Sequence, residues 1–142
     1  MSVFVDTSAL YALLVRSESR HRDVLQTFEK IVGEATPMVT TSYCLVETIT
    51  LLQHRVGLAP VRDFDTHIVP LLTIEWVTKA LHQKGTKRLI QDERRKLSLV
   101  DAVSFEVMNS KGIVRALTLD IHFQEAGFDV SPEPPPSNRS AL

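Results

Sequence analysis

A single cysteine, Cys44, stands in a chain of 142 residues, which excludes an internal disulfide and a cysteine-rich zinc site. It lies in an apolar stretch and reads as a small core residue rather than a nucleophile. No run approaches the roughly 20 apolar residues that a membrane helix requires. The opening residues lack a basic region, and Asp6 cuts their apolar run too short for a signal peptide. The expected setting is therefore the cytoplasm, with no membrane partner. A P-loop, a GxGxxG fingerprint and a GxSxG elbow are all missing, which leaves NTP hydrolysis, dinucleotide binding and serine hydrolysis without support. The five histidines, His21, His54, His67, His82 and His122, show neither HExxH nor Cys/His spacing, so zinc is not expected.

What remains is ordinary globular composition, 44% hydrophobic and 23% charged, in a length suited to one domain with its own core. The net charge of −1 is unevenly spread. Between Lys84 and Lys96, six basic residues (Lys84, Lys87, Arg88, Arg94, Arg95, Lys96) face Asp92 and Glu93, so the segment carries +4 and the rest of the chain −5. Such asymmetry permits a local anionic partner, although a solvated helix face has the same composition.

Short β-like runs alternate with longer helical ones. Strands are expected at 3–5, 37–40, 71–74, 114–119 and, briefly, 128–130. Helices are expected at 7–15, 20–32 and 42–55, at 60–69 opened by Pro60, at 77–90 with an interruption near Gly85, and at 98–110 before Gly112. The strands are apolar on both faces, which predicts an α/β fold with a parallel sheet between helix layers. Residues 1–130 make up the expected domain. From Ser131 the sequence Ser-Pro-Glu-Pro-Pro-Pro-Ser-Asn predicts a disordered, proline-rich tail over 131–142.

Four carboxylates stand out against this background. Asp6 and Asp120 each end an apolar run, and a parallel sheet binds its ligands beyond such carboxyl ends. Glu47 is the only charged residue from Ser42 to Gln53, on a helix flank shared with Tyr43 and Leu51. Asp101 interrupts another nearly uncharged stretch. Each has a structural competitor: Asp6 as an N-cap, Asp101 in a Ser98-Leu99-Val100-Asp101 capping box, Asp120 as a turn former, Glu47 as a solvated residue. Burying one carboxylate costs several kcal/mol unless something compensates it, and one divalent cation would compensate all four. Mg²⁺ or Mn²⁺ prefers oxygen ligands, polarises a phosphodiester and lowers the pKa of water, so no catalytic histidine or serine is needed.

Taken together, Val3-Phe4-Val5-Asp6-Thr7-Ser8-Ala9-Leu10, the Glu47 helix, Leu97-Ser98-Leu99-Val100-Asp101-Ala102 and Ala116-Leu117-Thr118-Leu119-Asp120-Ile121-His122-Phe123 resemble the blocks of PIN domains, most closely those of VapC-type ribonuclease toxins. The resemblance covers residues 1 to about 130. It implies a Rossmann-like parallel sheet, Mg²⁺- or Mn²⁺-dependent cleavage of single-stranded or structured RNA, frequent homodimers and an antitoxin protein. By the same transfer Asp6, Glu47, Asp101 and Asp120 would be the metal-binding and catalytic quartet, with Ser8 assisting. His122 reads as structural or substrate-orienting, and Arg94, Arg95 and Lys96 as a catch for RNA phosphates. The expected function is thus a metal-dependent endoribonuclease, the toxin of a toxin–antitoxin pair. The rivals are a stand-alone RNA-processing PIN nuclease, a non-catalytic RNA- or partner-binding relative and a phosphoacceptor domain; the last would need an acid pair after the first strand, where Thr7 follows Asp6.

Overall fold

The computed structural model describes residues 1–93 and 96–136. Five strands form one sheet: β1 (Val3–Val5), β2 (Met38–Thr41), β3 (Leu72–Glu75), β4 (Arg115–Leu117) and β5 (Asp129–Ser131). Every neighbouring pair is parallel, in the order β3-β2-β1-β4-β5. Parallel strands need crossovers, and the helices supply them: α1 (Thr7–Leu14), α2 (His21–Gly33), α3 (Ser42–Arg55), α4 (Leu58–Asp63), α5 (Lys79–Asp92), α6 (Leu99–Lys111) and α7 (Ile121–Glu125). The expected α/β sandwich is what the chain forms.

Alternation along β1 divides the core. Val3 and Val5 pack with Leu10, Val24, Ile31, Leu52 and Phe64 on one face of the sheet. Phe4 points the other way, into Phe105, Met108 and Phe123. On that second face the Phe105 and Phe123 rings meet edge-on at 4.9 Å, and Phe4 lies 6.1 Å from Phe123. These rings fix α6 and α7 against the sheet, and with them the residues that ride on their first turns. Cys44 is fully buried and unpaired, a core residue as its surroundings suggested.

The strand expected at 114–119 is shorter and is followed by α7, which was not expected; three further differences have a clear physical cause. The helix predicted over 60–69 is a short α-helix followed by a π turn at Phe64–Ile68 and a 3₁₀ turn at Val69–Leu71, because Phe64 is drawn fully into the core while Pro70 cannot extend an α-helix. Gly85 does not interrupt α5. It lies buried where α5 crosses α6, and a Cβ there would sit 2.4 Å from Val103 Cγ2 and 3.3 Å from the Val103 backbone. Gly85→Ala should therefore lower stability by about 1–2 kcal/mol despite the roughly 1 kcal/mol helix preference of Ala. Val103→Ala in the same chain should return part of that loss in a urea melt; additive losses would refute the clash.

The third difference is the C-terminal segment. Ser131, assigned by sequence to a disordered tail, is the last residue of β5, and its carbonyl accepts a hydrogen bond from Thr118 N at 3.0 Å. Arg20 Nη2 donates to the Glu133 carbonyl at 2.8 Å, and Pro132, Pro134 and Pro135 flank a hollow of about 240 Å³ that reaches Asp120. Prolines have little conformational freedom to lose, so one hydrogen bond and shallow packing suffice to order them. Ser137 to Leu142 lie outside the described residues.

Candidate active site

Asp6 follows directly on β1 and N-caps α1. Its Oδ2 accepts from Ser8 N (3.3 Å), Ser8 Oγ (2.7 Å) and Thr118 Oγ1 (3.0 Å). The cap and a ligand role are thus compatible, because all three bonds end on one carboxylate oxygen. Ser8 Oγ also accepts from Leu119 N at 2.9 Å, and Thr118 Oγ1 accepts from Asp120 N at 2.9 Å. Two hydroxyls therefore lace the end of β1 to the end of β4, the place where the chain leaves a central strand in opposite directions across the sheet.

Asp120 caps α7, its Oδ1 accepting from His122 N at 2.9 Å. Asp101 occupies the first turn of α6, where Ser98 Oγ accepts from Asp101 N at 3.1 Å. Its carboxylate and Asp120 are close neighbours, and His122 Nδ1 lies 2.9 Å from Asp120 Oδ1 and 3.6 Å from Asp101 Oδ2. The 2.9 Å contact lies off the direction of a ring N–H, so the buried Nδ1 has no hydrogen-bond partner among the described residues. One ligand atom from each of Asp101, Asp120 and His122 falls within 4.8 Å of the others. Asp6 and Glu47 line the same pocket, about 440 Å³ in volume, without joining that tight group.

The electrostatics are those of acids crowded out of water. Burial above all, with the charge of Asp120 adding to it, raises the Asp6 carboxyl to about 6 against the pull of the Ser8 and Thr118 hydroxyls. Burial, then the charges of Asp6 and Asp120, raises Asp101 to about 8, while the Ser98 backbone pulls it down. A group of carboxylates in this condition is neutralised either by protons or by a cation. The donor set suits the cation: carboxylates from three helix starts line one pocket, and the unpartnered imidazole nitrogen of His122 lies beside two of them.

The basic segment is placed less simply than its sequence suggested. Lys96 lines the acidic pocket. Arg88 instead pairs with Glu106 of α6 at 3.0 Å and lies 5.8 Å over the Phe105 ring, while Lys84 and Lys87 border a separate surface hollow. Arg94 and Arg95 lie outside the described residues. Among the pocket residues not singled out as candidates from sequence are Tyr11 and Arg55. Their signal was present as spacing: Thr7–Tyr11 and Glu47–Leu51–Arg55 recur every four residues, so each trio or pair shares a helix flank.

The chain is similar to known proteins over most of its length. The family model described as the PIN domain matches residues 3–129. Over 134 residues the chain is 37% identical to the 23S rRNA-specific endonuclease VapC20 of Mycobacterium tuberculosis, covering 92% of this chain and 99% of that protein, in each of two strains. The crystal structure of the M. tuberculosis VapC20, described as a sarcin–ricin loop cleaving toxin, superposes with a TM-score of 0.77 at 35% identity, over 89% of this chain and 96% of the other.

Proposed function

The chain belongs to the PIN-domain family, with VapC20-like endonucleases among its relatives, and from that premise we propose that it is a metal-dependent endoribonuclease, the toxin of a toxin–antitoxin pair. The observation that carries the proposal is the convergence of Asp6, Glu47, Asp101 and Asp120, from positions remote in sequence, on one pocket at the carboxyl edge of the sheet. The nuclease unit in this reading, expected over 1–130, extends through the end of β5 at Ser131. Large-subunit ribosomal RNA is the substrate to test first, given what the relative cuts. An antitoxin that covers the pocket and a homodimer complete the proposal. Among the described residues no helix is long and apolar enough to cross a membrane.

Asp6, Asp101 and Asp120 would hold a Mg²⁺ or Mn²⁺ ion, with Glu47 and the His122 ring at its margin. When bound, such an ion neutralises charge at the scissile phosphate and lowers the pKa of an attacking water. The protein's own contribution is positional. Ser8 and Thr118 hold the Asp6 carboxylate by Oδ2, and the α6 and α7 starts hold Asp101 and Asp120. Because these supports are backbone and short hydroxyl side chains, the constellation is preorganised rather than assembled by the substrate. The test is cleavage of a labelled sarcin–ricin stem-loop and of total rRNA by the purified protein. One dominant cut with Mn²⁺ and none with EDTA is expected; an intact substrate under both conditions, or equal cutting in EDTA, would remove the proposal.

A further inference from the structure

Pockets built from carboxylates repel the polyanion they cut, so something beside them must attract it. Arg55 ends α3 on the same flank as Glu47, two turns away, which places its Cα roughly 12 Å along the axis from that of Glu47. Its guanidinium carbon lies 5.2 Å above the Tyr11 ring, and both residues line the acidic pocket. Arg55 is exposed, and no carboxylate of the described residues pairs with it. A side chain with that much freedom ordinarily waves in solvent. Here the face of Tyr11 gives it a seat without spending a single N–H donor, so the full fork remains available. Helical side chains lean toward the N-terminus, which tips this fork toward Glu47 rather than away from it.

Resting on the endoribonuclease reading, the geometry points to Arg55, seated on Tyr11, as the clamp for an RNA backbone phosphate neighbouring the one that is cut. The offset from Glu47 along α3 separates its phosphate from the reacting one, so Arg55 binds substrate and leaves the bond-breaking step to the carboxylates. A planar guanidinium grips two phosphate oxygens at once, which an ammonium in its place would not do. A merely structural role is also available to an arginine here, since a cation in the last turn of a helix offsets the helix dipole. The two roles differ in what they move.

Initial rates of stem-loop cleavage in Mn²⁺, at several salt concentrations, separate them for wild type, Arg55→Gln, Arg55→Lys and Tyr11→Leu. Arg55→Gln should raise KM about tenfold, the worth of roughly one charge-assisted contact. The loss should fall on KM rather than kcat, because the interaction is the same in ground and transition states. The logarithmic salt slope of kcat/KM should become shallower by about 0.7, one phosphate's share for a single strand. Arg55→Lys should restore the slope and only part of the KM, and Tyr11→Leu should fall between wild type and Arg55→Gln. An unchanged KM and slope in Arg55→Gln beside an active wild type would overturn the clamp alone. A lower melting temperature with KM and slope intact would leave only the structural role. No cleavage by any of the proteins would overturn the nuclease reading and the clamp with it.

Discussion

Asp101→Asn should lower RNA cleavage by roughly a thousandfold or more, while the metal-free protein melts at or above the wild-type temperature. The scale is that of removing one preorganised group that stabilises charge in the transition state. The direction of the stability change is the informative part. Asp101 is buried, and its carboxyl is raised to about 8 by that burial and by the charges of Asp6 and Asp120. An amide keeps shape and hydrogen bonding without the charge, so it relieves that repulsion. The helix cap survives, because Ser98 Oγ takes its hydrogen bond from the Asp101 backbone and not from its side chain. If Asp101 served α6 alone, Asn would cost up to about 1 kcal/mol and leave activity intact. Cleavage assay and calorimetry on one preparation decide between the two outcomes, and an active, destabilised Asp101→Asn protein would sink the site assignment.

The second large effect is on melting. Millimolar Mn²⁺ should raise the melting temperature by several degrees at pH 8, since an ion that binds only the folded state stabilises it by about 4 kcal/mol at a thousand times its Kd. At pH 5 the gain should be small. Asp6 has its folded pKa raised from 3.8 to about 6, and Asp101 from 3.8 to about 8. An acid with a raised folded pKa holds its proton in the native state while the unfolded chain has lost it, so metal-free stability declines as pH rises from about 4 to 8. For Asp6 alone the loss amounts to about 3 kcal/mol. Over the same window the carboxylates become free to take a cation. Metal-free and Mn²⁺ melting curves should therefore diverge with rising pH, and parallel curves from pH 5 to pH 8 would argue that no ion binds at these acids.

How much of this was readable beforehand depended on how local each signal was. The apolar runs that make β1 and the α3 stretch from Ser42 to Arg55 are consecutive residues, and periodicity finds such elements at once. The four acids were visible because charge is scarce around each of them. Gly85 was misread because local propensity marks glycine as a breaker, whereas its reason for being there is Val103 on another helix. The basic segment misled in a similar way. Composition gathers Arg88 and Lys96 into one patch, but Arg88 turns toward Glu106 while Lys96 faces the pocket. The docking of Glu133 on Arg20 joins segments 113 residues apart that no local pattern relates. Tyr11 and Arg55 were hidden for a different reason, since each alone is an unremarkable surface residue and only their stacking gives either a task.

The pairing of β1 with β4 has a consequence for how the protein comes into being. Asp6 leaves the ribosome well before the hydroxyl of Thr118 that holds it, 112 residues further along the chain. Parallel neighbours so far apart in the chain cannot meet until the whole stretch between them is out, and such long closures come late in folding. A chain stopped before β4, whether still being translated or prematurely terminated, lacks Thr118 and Asp120 and so presents no assembled set of acids. The proposed cutting site is thus absent from the nascent chain until β4 and Asp120 have been made.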